Sequence, residues 1–331
     1  MPGHLLEIFS ARAPWLFVAC GSSYYLSQMI ACFWSRLLQV RCSAVPASEL
    51  LFDSEQILRH SGARQAVLLS RSGETTEVLR AARLLRENRA VRTLGATCNP
   101  ASSLEKLCDR TLKLTWADEK STVMTRSFTS FLLVFQRLGA MFAQVRGCLG
   151  VLDRLPAHVA PWLGVNEKRI RGFGASRQFA NFVFLGQGFH YWLAQEAALK
   201  MTEMSSSYAQ AYHTLEFRHG PRSIAGPKTL IAFLLSEAAA TEESLLVEEV
   251  KELGAATFVV ANRATPLLKR TSDLLVELAL DEPEAARVAV MAIPAQLLGC
   301  AVGLRKGLNP DAPNNLTRFV RLETDQTRGG A

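Results

Sequence analysis

Two patterns of hydrophobic and polar positions alternate along the first hundred residues. Short apolar runs typical of buried strands cover residues 15–20, 66–70 and 93–97, and longer amphipathic stretches typical of helices lie between them at 24–38 and 75–88. Such alternation is typical of parallel strands joined by crossover helices. The pattern therefore predicts an α/β fold with a mainly parallel sheet and helices on both faces.

The second half of the chain repeats this pattern at an offset of about 165 residues. The strand and turn at 17–23 match 182–188, and Leu68-Leu69-Ser70 matches Leu234-Leu235-Ser236. A repeat of this size indicates two similar domains rather than a solenoid of short units. We therefore expect two three-layer α/β/α domains, each with a mainly parallel sheet.

The expected domains cover residues 1–150 and 151–331. A chain of 331 residues with 49% hydrophobic composition has enough apolar material for two buried cores. The region 149–171, which contains Pro156 and Pro161, is the predicted connection.

Composition narrows the class of protein. The N-terminus has neither the basic region nor the long apolar region of a signal peptide, and no apolar run approaches the roughly 18 residues of a membrane span. The seven cysteines are scattered through apolar segments without a CxxC pair, which favours reduced core residues over disulfides or zinc ligands. We therefore expect a soluble, cytoplasmic protein without a membrane partner.

The chain is basic, with a formal net charge of +7 and an isoelectric point near 9.2. Its basic residues are dispersed, and no motif that reads nucleic acid accompanies them. A phosphorylated small substrate accounts for the excess charge equally well. We therefore expect no nucleic-acid partner.

The segment Ser70-Arg71-Ser72-Gly73-Glu74-Thr75 lies between a predicted strand and a predicted helix. Such a turn presents backbone N–H groups and the positive end of a helix dipole to an anion, while serine and threonine hydroxyls add donors. The alternative is an ordinary helix cap, since Ser and Thr are common there. The repeated segment Ser236–Thr241 has alanines and a glutamate instead, which favours a phosphate site retained only in the first copy.

Two further groups of residues have the types needed for proton transfer. Glu196, Lys200 and Glu203 share one face of a predicted helix, where a carboxylate beside a lysine suits a general base, although a surface salt bridge is the alternative. His219 precedes Gly220-Pro221 and is therefore expected in a loop, with His213 as a second candidate.

Five stretches, taken in order, resemble the sugar isomerase (SIS) domain family in its two-domain form, like the isomerase half of glutamine-fructose-6-phosphate aminotransferase. They are Cys20–Ser23, Ser70–Thr75, Met124–Thr129, Ala194–Glu203 and Glu216–Pro221. The resemblance implies an aldose-ketose isomerase of a hexose or amino-hexose 6-phosphate, with or without coupled deamination.

The resemblance also implies roles for individual residues. Glu203 transfers a proton between carbon 1 and carbon 2, and His219 opens the sugar ring. Lys200, on the same helix face as Glu203, is expected to take part in catalysis by stabilising the developing oxyanion charge. In the family the histidine loop reaches the site of a neighbouring subunit, so a homodimer is expected with His219 shared across the interface. The implied substrate-binding residues are Ser22, Ser23, Ser70, Arg71, Ser72, Gly73, Thr75, Thr122 and Arg318.

The chain departs from the aminotransferase pattern in three respects. It has neither a glutaminase domain nor a cysteine after Met1, so glutamine-dependent amination is not expected. Arg318 stands where the aminotransferase has a lysine that forms an imine with the open sugar, and a guanidinium stays protonated and cannot do so. Arg71 stands where the aminotransferase has a glutamine, and it either tightens phosphate binding, alters the choice of sugar or points to solvent.

Two other functions are weighed against isomerisation. A non-catalytic sugar phosphate-binding regulatory protein is the alternative, but Glu203 and His219 favour an enzyme. A nucleotide-dependent oxidoreductase is disfavoured, because neither Gly21 nor Gly186 begins a complete GxGxxG motif. No cofactor and no metal are expected, since loop donors and Lys200 supply the positive charge.

Overall fold

The computed structural model of the 331-residue chain describes residues 3–322. Its contacts define two compact units. The first runs to Lys120 and also includes the described residues from Leu316 onward, and the second covers Ser121–Asn315. The expected domain boundary near residue 150 stays a prediction.

The first unit contains one sheet of five parallel strands in the order β2-β1-β3-β4-β5. The strands are β1 (Trp15–Ala19), β2 (Cys42–Pro46), β3 (Gln65–Leu69), β4 (Arg92–Thr97) and β5 (Arg110–Lys113). The helices are α1 (Gly3–Ile8), α2 (Ser22–Leu38), α3 (Ala47–Phe52), α4 (Ser54–Ser61), α5 (Thr76–Glu87) and α6 (Ser103–Leu107). The three strands and two helices predicted from the pattern are all present.

The second unit contains a sheet of the same kind, in the order β10-β9-β8-β6-β7. The strands are β6 (Asn181–Gly186), β7 (Ala209–His213), β8 (Thr229–Leu234), β9 (Ala256–Ala261) and β10 (Leu274–Glu277). The helices are α7 (Arg126–Phe142), α8 (Arg146–Ser176), α9 (Phe189–Ser205), α10 (Ala240–Glu252), α11 (Pro266–Thr271) and α12 (Glu284–Arg305). The predicted fold class, two α/β/α domains with parallel sheets, is confirmed.

Complete burial of the central strands explains why they are recognisable as unbroken apolar runs. Every residue of β1, β3, β8 and β9 is buried, as expected where helices cover both faces of a sheet. Within each sheet the strand order reverses once, between β1 and β3 and between β6 and β8. Ligands of open parallel sheets bind beyond the carboxyl ends of the strands at such a reversal.

The structure confirms the repeat but corrects its alignment. Gly21 and Gly188 have nearly the same left-handed conformation, with φ of 55° and 61°, and each precedes a helix of 17 residues. Gly21 therefore matches Gly188 rather than Gly186. Only glycine adopts this conformation at low cost, which is why the turn retains it in both copies.

The loop after β3 also has a corrected counterpart. The N–H of Ser70 donates to Ala96 and that of Leu235 donates to Val260, both at 3.0 Å, so these two residues are equivalent in their sheets. The segment that corresponds to Ser70–Thr75 is therefore 235–239, one residue shorter, because α10 already begins at Ala240.

The predicted connection at 149–171 is helical throughout, since it lies within α8. Pro156 and Pro161 are inside this helix and on its exposed side. Each proline removes one helical hydrogen bond, and the carbonyl that loses its donor there can accept one from water. Leu152, Leu155 and Ile170 provide the buried face that stabilises the helix despite the prolines.

Helix α12 corrects the expectation that no segment is long and apolar enough to span a membrane. Among the described residues it alone meets that criterion of length and composition, with a mean hydropathy of 1.7. However, 72% of its most apolar window is buried within the protein. It packs against α8 and α9, as a core helix of the second unit does.

Candidate functional site

Three hydroxyl groups converge in the loop that follows β3. The Ser70 hydroxyl oxygen lies 3.0 Å from that of Thr75 and 3.4 Å from that of Ser72. The backbone N–H groups of Gly73 and Glu74 donate to the Ser70 and Ser72 hydroxyls, both at 3.1 Å. The loop thus gathers polar donors at the start of α5, where the helix dipole favours an anion.

Gly73 is required by the shape of this loop. Its φ is +66°, a conformation that side-chain-bearing residues rarely adopt. A Cβ at this position would lie 2.3 Å from the Cβ of Ser102. Both strain and collision therefore exclude larger residues here.

Ser22 and Ser23 lie beside this loop at the reversal of strand order. They begin α2 directly after the turn that follows β1, and β1 pairs with β3 in the sheet. Both side chains are buried. The structure therefore brings these two serines and Ser70–Thr75 to the same edge of the first sheet.

Arg71 does not point to solvent. Its side chain is 4% exposed, and its guanidinium lies 3.7 Å from the carboxylate of Glu119, which is 8% exposed. Burial is the main cause of a lowered pKa for Arg71, and the nearby Glu119 opposes that shift. Asp118, the neighbour of Glu119, pairs with the guanidinium of Arg318.

Arg318 lies next to the loop through its backbone as well. Its carbonyl accepts a hydrogen bond from the Arg71 guanidinium at 3.3 Å. Two residues further on, the Val320 carbonyl accepts the N–H of Thr76 at 3.2 Å, at the N-terminus of α5. The segment 316–322 therefore lies along the first turn of α5, close to the loop.

The second sheet has a carboxylate where the first has its hydroxyl cluster. Glu243 of α10 is fully buried and accepts hydrogen bonds from the Ser236 N–H at 2.7 Å and the Ser236 hydroxyl at 2.8 Å. Its other oxygen accepts from the Thr214 hydroxyl at 2.6 Å. A buried carboxyl group of the protein itself thus takes the donors of the loop after β8, in keeping with a phosphate site in the first copy alone.

Helix α9 places its three predicted charged residues in contact. Lys200 is completely buried, its ammonium lies 3.4 Å from the carboxylate of Glu196, and it also pairs with Glu203. Glu196 is 2% exposed and Glu203 is 19% exposed. The interpretation as a surface salt bridge is therefore wrong, and Glu203 is the member of the trio that solvent or a substrate reaches.

Close helix packing holds this trio in place. A Cβ at Gly303 of α12 would lie 2.1 Å from the carbonyl oxygen of Met204, and one at Gly299 would lie 3.3 Å from that of Lys200. Helices α9 and α12 approach each other this closely because the two glycines lack side chains.

His219 lies in irregular structure, as predicted, directly after a single 3-10 turn at Glu216–Arg218. It is exposed, and no described residue forms a hydrogen bond or ion pair with its imidazole. His213 is half-buried instead, and its ring stacks on Tyr191 at 3.8 Å between centroids. Burial, opposed by Glu216, lowers the pKa of His213.

Thr122 lies in the second unit, in the segment that leads into α7. Its N–H donates to the carbonyl of Asp311 at 2.9 Å. The other predicted substrate-binding residues belong to the first unit, and the predicted catalytic residues belong to the second.

The cysteines are free thiols in the structure. Only Cys98 is fully buried, and the other six are partly buried. Burial raises the pKa of Cys20 to about 11 and that of Cys98 to about 12, so both stay protonated at neutral pH. Within residues 3–322, no cluster of His, Cys, Asp or Glu has the arrangement of a metal site.

The sequence did not reveal the carboxylates that pair with Arg71 and Arg318, nor the buried Glu243. Glu119 and Asp118 pair with arginines that are distant in sequence, so no local pattern identifies them. Glu243 did have a signal, because it is a charged residue on the same helix face as the apolar Leu246 and Val247. A buried carboxylate at such a position needs hydrogen-bond donors.

Comparison with known proteins gives the family. The SIS domain model matches residues 7–141 and 177–302. Glutamine–fructose-6-phosphate aminotransferase (isomerizing) of Escherichia coli K12 is 30% identical over 318 residues, which cover 92% of this chain and 51% of that protein. The chain therefore spans about half the length of the curated relatives it matches.

Solved structures agree with this match. Glucosamine-6-phosphate deaminase from Thermotoga maritima is 31% identical, with a TM-score of 0.81 over 96% of this chain and 92% of that one. Tagatose-6-phosphate ketose/aldose isomerase from Escherichia coli shares the fold, with 20% identity and a TM-score of 0.80 over 98% of this chain and 90% of that one.

The chain has two tandem α/β/α units, with a hydroxyl-lined loop in the first of them. The chain belongs to the SIS domain family, as its motifs predicted.

Proposed function

We propose that the protein interconverts the aldose and ketose forms of a hexose or amino-hexose 6-phosphate. The observation that carries this proposal is the convergence of the Ser70, Ser72 and Thr75 hydroxyls at the strand-order reversal of the first sheet. The sugar phosphates named for the relatives from Escherichia coli and Thermotoga maritima support the choice of substrate class.

In this proposal the phosphate is bound by the loop and by Ser22 and Ser23. These residues offer hydroxyl and backbone donors at the N-termini of α5 and α2. Arg71 keeps a positive charge at the loop, while Thr122 contacts the sugar.

Glu203 is the proposed base that removes a proton from one carbon and returns it to the next. Aldose-ketose isomerisation needs one such group, and Glu203 is the most exposed carboxylate of its trio. The buried ammonium of Lys200 stabilises the negative charge that develops on the enediol or enolamine oxygen. We propose that this charge stabilisation requires no metal ion.

His219 is the proposed group that opens the sugar ring, by transferring a proton to the ring oxygen. The exposure of the His219 imidazole supports a role in the site of a neighbouring subunit. We propose a cytoplasmic homodimer in which His219 of one subunit serves the site of the other.

The identity of Arg318 bears on whether the reaction passes through a covalent imine intermediate. A lysine forms an imine with an open sugar, but a guanidinium does not, so we propose a route without a covalent intermediate. Contact of Arg318 with Arg71 and Asp118 supports a role in holding the segment 316–322 near the bound phosphate.

Incubation of the protein with fructose 6-phosphate, glucosamine 6-phosphate and galactosamine 6-phosphate tests the proposal. Conversion between aldose and ketose is measured by NMR, and coupled deamination by release of ammonia. We expect turnover of at least one of these sugars. Tight binding without turnover would instead establish the regulatory alternative.

Ser72→Ala tests the phosphate loop. Loss of a hydrogen bond to a charged group is expected to raise KM about tenfold. Thr241→Ala is the matched control, because Thr241 is exposed in the first turn of α10 in the other copy. Equal KM values for the two variants would contradict the assignment of the loop.

A further inference from the structure

The segment that carries His219 joins β7 to β8 and covers residues 214–228. It is irregular apart from two 3-10 turns, at Glu216–Arg218 and Pro221–Ile224. Segments of this kind are usually more mobile than the strands that flank them, because few backbone hydrogen bonds hold them. A group that transfers a proton must nevertheless be held in a defined position.

The first residue of this segment is anchored to α10. Thr214 is fully buried, and its hydroxyl donates to one carboxylate oxygen of Glu243 at 2.6 Å. The other oxygen of Glu243 is held by the N–H and the hydroxyl of Ser236. Glu243 therefore ties the beginning of the histidine segment to the loop that follows β8.

The residues on either side of His219 are anchored to the same helix, one turn before its end. The carboxylate of Glu249 accepts two hydrogen bonds from the Arg218 guanidinium, at 2.7 and 3.3 Å. The guanidinium of Arg222 lies 3.1 Å from the same carboxylate. Arg218 is the residue directly before His219, and Arg222 is the third residue after it.

A buried side chain completes the attachment. Phe217 is fully buried and belongs to the apolar core between β8 and α10, together with Phe233 and Val247. The backbone before His219 is thus fixed by Phe217 and Arg218, whereas the imidazole itself is exposed.

We propose that Glu243 and Glu249 of helix α10 are positioning residues that hold the His219 segment in its working conformation. The inference rests on the proposed ring-opening role of His219. Neither carboxylate needs to touch the substrate, since each acts through Thr214, Arg218 or Arg222.

Amide hydrogen exchange of residues 214–223 tests the attachment without reference to activity. Glu249→Gln removes the charge that pairs with both arginines, and we expect exchange in this segment to accelerate about tenfold. Glu248→Gln is the matched control, because Glu248 is the adjacent residue of α10 and forms no hydrogen bond or ion pair with a described residue. Equal exchange in the two variants would overturn the proposal.

Thr214→Val and Thr214→Ser test the other anchor. Valine keeps the size of threonine but removes the hydroxyl that Glu243 accepts, whereas serine retains it. We expect faster exchange in the valine variant and near-normal exchange in the serine variant. Failure of the serine variant to restore protection would show that packing, rather than the hydrogen bond, holds the segment.

Kinetic measurements test whether the attachment of the His219 segment to α10 is needed for ring opening. Fructose 6-phosphate is cyclic, whereas 5-deoxyfructose 6-phosphate lacks the hydroxyl that closes the ring. We expect Glu249→Gln to lower kcat about tenfold for the cyclic sugar and to leave kcat for the open sugar unchanged. Equal losses for both sugars would contradict a role in ring opening.

The failure of this inference is distinguishable from failure of the proposed function. A wild-type protein that turns over neither sugar would refute isomerisation of fructose 6-phosphate, and hydrogen exchange would still decide whether α10 holds the segment. A wild-type protein that turns over both, with Glu249→Gln behaving like Glu248→Gln, would refute the positioning role alone.

Discussion

The guanidinium of Arg71 lies 3.7 Å from the carboxylate of Glu119, and both side chains are almost completely buried. The pair stands at the loop that we propose to bind phosphate, because Arg71 is the second residue of Ser70–Thr75. A charge buried there needs its partner, since desolvation of an unpaired ion is costly.

A double-mutant cycle measures this pair. Glu119→Gln removes the negative charge that lies 3.7 Å from the Arg71 guanidinium, and we expect the free energy of unfolding to fall by about 2–3 kcal/mol. Arg71→Gln should cost a similar amount, and the double variant should lose less than the sum. Urea denaturation gives these values.

The neighbouring pair of Arg318 and Asp118 is the control for that cycle. Their side chains are 40% and 39% exposed, so Arg318→Gln should change the free energy of unfolding by less than about 1 kcal/mol. Additive effects of Glu119→Gln and Arg71→Gln would show that the buried pair is not coupled.

Gly73→Ala is expected to impair phosphate binding. The added Cβ would collide with Ser102, and φ is +66° at this position, so the loop must change its conformation. We expect KM for the sugar phosphate to rise at least about tenfold. Gly62→Ala is the control, because Gly62 has a φ of +61° but open space around it. It should cost about 1 kcal/mol of stability and leave KM unchanged.

Gly303→Ala is expected to destabilise the second unit. The new methyl group would meet the carbonyl of Met204, and overpacking of this kind costs about 2 kcal/mol. Gly164→Ala in α8 should have the opposite effect, since nothing lies within 4 Å of the added carbon. Its higher helix propensity should raise the free energy of unfolding by up to about 1 kcal/mol. Thermal unfolding of both variants checks the contrast, which equal shifts would refute.

The buried imidazole of His190 is expected to make the folded protein less stable in acid. Burial lowers its pKa from 6.5 to about 3, and Arg287 adds to the shift. The imidazole is therefore neutral at pH 7, and its 3.8 Å approach to Glu284 is not an ion pair. Because the unfolded chain binds a proton that the folded chain excludes, stability from this residue is complete above pH 6.5 and is lost as the pH falls.

Denaturation at two pH values measures this effect. Between about pH 7 and about pH 4, the wild type should lose about 3 kcal/mol more than His190→Gln, which has no titrating ring. The same pH dependence in both proteins would show that His190 is not responsible.

The elements predicted from sequence were those with the strongest local pattern. Strands β1 and β3 are buried apolar runs, and α2 and α5 are helices with an apolar face, so short segments of sequence suffice to identify them. For the region of α8 the sequence predicts a connection instead, because Pro156 and Pro161 disfavour a helix locally. Packing of its apolar face outweighs that preference.

The same distinction between local sequence patterns and the packing of distant elements applies to the site residues. Ser70–Thr75 and the trio on α9 are contiguous or helically spaced, so their grouping is visible in the sequence. Partners such as Glu119 for Arg71 and Glu249 for Arg218 come together only when distant elements pack. The apolar pattern does not distinguish Gly186, the last residue of β6, from Gly188, which directly precedes α9 as Gly21 precedes α2.

Proton transfer by Glu203 is the central claim of this account, and exchange of solvent deuterium into the sugar tests it most directly. The sugar phosphate that the wild type turns over is incubated in deuterated water with wild type or Glu203→Gln, and exchange at carbon 1 and carbon 2 is followed by NMR. We expect Glu203→Gln to slow exchange by at least about a hundredfold. Its dissociation constant, measured by calorimetry, should stay within about twofold of the wild-type value. Undiminished exchange by Glu203→Gln would contradict the account.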